Sequence, residues 1–176
     1  RVMAEISKQL GKDGNVYRQE YEKLTAAIEK FFWDEEKGAY IDSFTSGKRN
    51  VTRHANIFAI LFDIADKQKQ EKILTNVLEN DEIPAITTPY FNFFELDVLC
   101  QMGKLTEVLD KIRSYWGGML DLGAVTFWEE YDPSVPKEEQ YDMYGDHFGK
   151  SLCHAWAASP IYFLAKYFAG LDLVNK

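Results

Sequence analysis

The residues best suited to chemistry form one run, Trp116-Gly117-Gly118-Met119-Leu120-Asp121-Leu122-Gly123-Ala124-Val125-Thr126-Phe127-Trp128-Glu129-Glu130. Its glycines allow sharp bends and let a ligand approach the backbone closely. The run ends on Trp128 beside two carboxylates. A carboxylate next to a large ring suits general-base work: the ring restricts bulk water and orients a sugar, while the carboxylate activates one trapped water. The plain alternative is a loop held by buried aromatics with two surface acids. Residue chemistry alone does not separate Glu129 from Glu130.

Three further constellations deserve weighing. Ser151-Leu152-Cys153-His154-Ala155-Trp156 places a histidine near the start of an apolar helix. Such a histidine is more often a satisfied core residue than a donor to a ligand hydroxyl, and Trp156 reads more readily as core than as a sugar platform. Arg53-His54 with Asn56, and Thr87-Thr88-Pro89-Tyr90-Phe91, stand at the starts of two other apolar segments. Thr88 reads there as a helix cap. Other chemistries lack their signatures: the sequence has no H-E-x-x-H, P-loop, dinucleotide fingerprint or G-x-S-x-G. No cofactor or metal is expected.

Helical periodicity supplies the elements that must position these groups. Residues 15–33 read as an amphipathic helix, 53–66 as a helix apolar nearly all round, 68–79 as amphipathic, 90–102 as apolar and 104–115 as amphipathic. A long loop is expected over 116–149. A mostly apolar helix over 150–169 closes the series, with a kink expected at Pro160. A helix without a polar face belongs inside a fold. Amphipathic and apolar helices therefore alternate through about three hairpins. The fold class expected is all-α, part of an (α/α)6 toroid with the long loops gathered at one end. Long loops are more often functional than not, which directs attention to 116–149. A complete six-hairpin barrel needs roughly twice this length, so about half is expected here, with exposed apolar faces that invite dimerisation.

The net charge of −8 disfavours a nucleic-acid partner. No stretch reaches the ~20 apolar residues of a membrane span. Cys100 and Cys153 form no C-x-x-C pair and read as buried free thiols. The chain starts Arg1-Val2-Met3-Ala4-Glu5-Ile6, with neither an initiator methionine nor a signal peptide, and is expected to begin inside a longer protein. A carbohydrate partner fits the high aromatic share, 15%.

Gly123-Ala124-Val125-Thr126-Phe127-Trp128-Glu129 followed by Ser151-Leu152-Cys153-His154-Ala155-Trp156 resembles the C-terminal motifs of the glycoside hydrolase family 78 α-L-rhamnosidases. Thr88-Pro89-Tyr90-Phe91 and Trp116-Gly117-Gly118-Met119 share the likeness, which covers nearly the whole chain. The resemblance implies a six-hairpin barrel and inverting hydrolysis of terminal α-L-rhamnosides by an acid and a base carboxylate. The base falls on Glu129 rather than Glu130, and a sugar-contacting histidine on His154. Trp128 and Trp116 are expected to bind substrate beside them. Val125 stands where Thr or Ser is more usual. The family's acid-bearing motif, with Asp and Arg before a Glu, has no counterpart in the chain, so the general acid is expected from outside it. Carbohydrate processing favours a periplasmic or extracellular site in a bacterium. The alternatives are another sugar specificity on the same barrel, or a non-catalytic carbohydrate-binding remnant.

Overall fold

The computed structural model describes residues 1–171 and is built almost wholly from helices. It divides into two compact units, Arg1–Ala85 and the part from Ile86 onward. The elements alternate as the periodicity requires, with boundaries close to those expected.

In the first unit, helix α1 (Val2–Gln9) precedes α2 (Asn15–Phe32), which has no fully buried residue. The chain then turns through a two-residue ladder, β1 (Trp33–Asp34) against β2 (Ala39–Tyr40). Helix α3 (Arg53–Leu61) buries Arg53, Asn56, Ile57, Ala59 and Ile60. Thr52 caps α3 through Ala55 N–H, and Asp66 caps α4 (Lys67–Ile73) through Lys69 N–H at 2.9 Å. Two polar residues on α3 hold the chain around it. Asn56 accepts from Tyr40 N–H at 2.8 Å and donates to the Tyr40 and Thr52 carbonyls. Arg53 donates to the carbonyls of Leu78, Asn80 and Ile83, groups that follow a helix end and lack intrahelical partners. Arg53 and Asn56 therefore serve packing in this unit, while His54 is exposed.

The second unit is organised on α5 (Pro89–Gln101), which packs against α6 (Leu105–Lys111) and α8 (Ser159–Phe163). Thr88 occupies the N-cap position of α5 but its side chain makes no cap bond; Asn92 Nδ2 instead donates to the Thr88 carbonyl at 3.3 Å. The interior of α5 is not purely apolar. Glu95 is 2% exposed and pairs with Lys111 at 2.5 Å. A buried carboxylate that loses a cationic partner retains its desolvation penalty. Lys111→Met is therefore expected to cost about 3 kcal/mol of stability, read as a lower urea midpoint; an unchanged midpoint would show that the pair contributes nothing.

Three expectations need correction. The loop expected from residue 116 begins later, because helix α6 runs on through a π turn (Ile112–Trp116) into α7 (Gly117–Asp121). Gly118 is helical, and it is small because the Tyr131 ring lies where a Cβ would stand. At the other end, residues 150–154 are non-helical, Ala155–Ala157 form a 3-10 turn, and α8 starts only at Ser159. Pro160 sits in the first turn of α8, where its missing N–H costs nothing, so it starts a helix rather than kinking one. Cys153 lies on the non-helical stretch and is exposed; only Cys100 is buried, and burial pushes its thiol up to about 11. Among the described residues, no helix is long and apolar enough to cross a membrane.

Candidate active site

Residues 126–129 and 151–154 run side by side in opposite directions. Glu129 N–H donates to the Ser151 carbonyl at 2.9 Å, and His154 N–H donates to the Phe127 carbonyl at 2.8 Å. The Thr126 hydroxyl donates to the Leu152 carbonyl. These bonds bring together the two motifs singled out in the sequence.

The geometry separates the two adjacent acids. Glu130 accepts from Thr87 Oγ1 at 2.9 Å, and its other oxygen lies 4.0 Å from Lys150 Nζ. The Lys150 side chain is only 4% exposed, and burial lowers its pKa against the pull of Glu130 and other nearby acids. Glu130 thus ties the start of α5 to the long loop. The Glu129 side chain points elsewhere. Its Oε2 accepts from Ser151 N–H at 3.0 Å, and its Oε1 accepts from the Tyr144 hydroxyl at 3.1 Å. His154 Nδ1 stands 3.8 Å from Oε2, beyond hydrogen-bonding reach but close enough to share a ligand. The side chains remain partly open to solvent, 12% for Glu129 and 24% for His154.

The His154 ring packs on Trp156 with centroids 4.1 Å apart, and Trp156 meets Tyr90 at 5.2 Å. Trp156 is 50% exposed and Tyr90 44%. The expectation that Trp156 belongs to the core is therefore corrected: it sits in a short 3-10 turn rather than inside a long helix, and it faces outward. Trp128 and Trp116 behave oppositely. Trp128 is 3% exposed and meets the edge of Tyr141 at 5.6 Å. Trp116 is 6% exposed and its Nε1 donates to the Ala157 carbonyl at 2.8 Å. The Trp116 ring also borders an apolar hollow of about 220 Å³ with Met119, Ala124 and Phe127.

Tyr144 was not foreseen from the sequence. It lies 15 residues from Glu129, on a loop whose course carries no periodicity. The only local sign is an aromatic residue before Gly145. Among the described residues, no group of three or more His, Cys, Asp or Glu side chains could hold a metal ion.

A carboxylate held through both oxygens, with an imidazole 3.8 Å away, can accept a proton from a bound water or hold a ligand hydroxyl. Residues 1–168 match the model of the bacterial alpha-L-rhamnosidase 6 hairpin glycosidase domain. The chain belongs to this family. Two solved structures resemble this rhamnosidase-family chain. A rhamnosidase from Klebsiella oxytoca with rhamnose bound is 32% identical with a TM-score of 0.76, over 90% of this chain and 29% of that one. A GH78 family rhamnosidase of Bacillus sp. GL1 is 28% identical with a TM-score of 0.70, over 86% of this chain and 16% of that one. The chain thus spans less than a third of either protein. No curated protein sequence matches it. Family membership makes the chain part of an all-α six-hairpin glycosidase domain.

Proposed function

We propose that the chain supplies the general-base half of a site that hydrolyses terminal α-L-rhamnosides with inversion. The observation that carries this reading is the Glu129 carboxylate, oriented by Ser151 N–H and Tyr144 OH on a chain of the rhamnosidase family. In this mechanism Glu129 takes a proton from a water on the face of the sugar opposite the leaving group. The water oxygen attacks the anomeric carbon as the glycosidic bond breaks, and a second carboxyl group protonates the departing oxygen. Inversion requires the two carboxyl groups about 6.5–9.5 Å apart, leaving room for the water. Glu130 cannot be that acid in this arrangement, since it is held by Thr87 and Lys150. The acid comes from a part of the six-hairpin domain outside these 176 residues. His154 contacts the sugar beside Glu129, while Trp128 and Trp116 act on substrate from behind, by fixing the segments that carry Glu129 and His154. No cofactor is required.

The test is the first product formed from p-nitrophenyl α-L-rhamnoside by the full-length natural protein, followed by proton NMR before mutarotation. β-L-rhamnose is expected first. Initial α-L-rhamnose would mean a double displacement and would remove the base role from Glu129; absence of turnover would sink the substrate assignment.

A further inference from the structure

We propose that Tyr144 is a positioning residue for Glu129, its hydroxyl orienting the carboxylate that receives the proton from water. This inference rests on the reading of Glu129 as the general base.

Tyr144 lies in a tight turn. Met143 N–H and Asp146 N–H each donate to the other residue's carbonyl at 3.0 Å. The two residues between them are both left-handed, Tyr144 at φ 56° and Gly145 at φ 80°. Two consecutive left-handed residues define a type I′ turn, whose first central position favours Asn, Asp or Gly. An aromatic side chain there works against the local backbone preference. Burial does not compensate, because Tyr144 is 82% exposed. What the side chain does reach is Glu129 Oε1. A residue that contradicts its local conformation without gaining burial is a mark of function.

The rest of the loop keeps the turn in place. Gly149 N–H donates to the Asp146 carbonyl at 3.2 Å, and Lys150 N–H to the Tyr141 carbonyl at 3.2 Å. A Cβ at Gly149 would overlap the Met143 carbonyl oxygen, so the returning strand can lie against the turn only without a side chain. The next residue but one is Ser151, whose N–H holds Glu129 Oε2. Both donors to the carboxylate thus come from one short segment, 144–151. Together they occupy one acceptor site on each oxygen and leave the others for water. The bond to Glu129 pushes the Tyr144 phenol up, so the hydroxyl keeps its proton as donor.

The experiment uses the full-length natural protein and p-nitrophenyl α-L-rhamnoside, with kcat and kcat/KM measured against pH for Tyr144→Phe, Tyr144→Asn and Glu129→Gln. Tyr144→Phe is expected to lower kcat about 10- to 100-fold while KM stays within about threefold. Tyr144→Asn suits the turn better, so it is expected to raise the melting temperature while causing the same loss in kcat. A purely structural tyrosine would not combine greater stability with a loss confined to kcat. Activity retained in Glu129→Gln would overturn the base assignment itself. An inactive Glu129→Gln beside Tyr144 variants whose kcat stays within about threefold, or whose losses fall in KM, would overturn this inference alone.

Discussion

Glu129→Gln in the full-length natural protein is expected to lower kcat on p-nitrophenyl α-L-rhamnoside by about a thousandfold or more. That loss corresponds to roughly 4 kcal/mol of transition-state stabilisation. The amide is nearly isosteric with the carboxylate but cannot take a proton from water. It can still accept from Ser151 N–H or Tyr144 OH, so the local fold should survive and KM should change little. The informative control is the neighbour. Glu130 accepts from Thr87 Oγ1 and faces the buried Lys150, so Glu130→Gln is expected to act on stability. Its kcat should fall by no more than about tenfold, which is less than general acid–base catalysis normally contributes. A third variant makes the chemistry explicit. Glu129→Ala opens space for an anion, and azide can then replace the activated water, giving the β-configured rhamnosyl azide. Full activity in Glu129→Gln, or losses reversed between the two acids, would defeat the assignment.

The hairpin alternation was legible because long amphipathic segments such as α2 contrast with long apolar ones such as α5. Their ends were less legible, because each depends on a few local bonds. Pro160 shows the difficulty. The same residue kinks a helix at an interior position and starts one in its first turn, and only the non-helical 150–154 stretch decides between these. Gly117 and Gly118 look like breakers, yet the helix passes through both, and at Gly118 the Tyr131 ring packs where a side chain would otherwise stand. The buried Glu95 was hidden for another reason: its partner Lys111 lies on the next helix, and nothing in the segment itself tells Glu95 from Asp97. At the site, the motif residues were recognisable by type, but the division of labour between Glu129 and Glu130 was not. Thr87, Lys150, Tyr144 and Ser151 make that division, and they come from two separate parts of the sequence. Tyr144 was least legible of all, since its role follows from a left-handed turn that no periodicity marks.

Trp116 offers the sharpest separation of a sugar-stacking role from a packing role. Its ring is 6% exposed, it meets Tyr115 edge-on at 4.7 Å, and its Nε1 donates to the Ala157 carbonyl at 2.8 Å. That bond ties the end of the α6 helix to the 3-10 turn directly after His154. Trp116→Ala is expected to destabilise the fold by about 3–5 kcal/mol, the usual range for truncating a buried large aromatic. Trp116→Phe keeps most of the ring and removes the donor. It leaves the buried Ala157 carbonyl without that partner, at a cost of about 1–3 kcal/mol. If Trp116 acts from behind the site, Trp116→Phe should lower the melting temperature while KM stays within about threefold. Any kinetic loss should then follow displacement of His154 and appear in parallel when His154 itself is changed to glutamine. If the indole instead stacks on the sugar, the pattern reverses: KM rises by an order of magnitude or more while the melting temperature holds. Thermal unfolding and steady-state kinetics on the same two variants therefore distinguish a wall of the site from a surface that touches substrate.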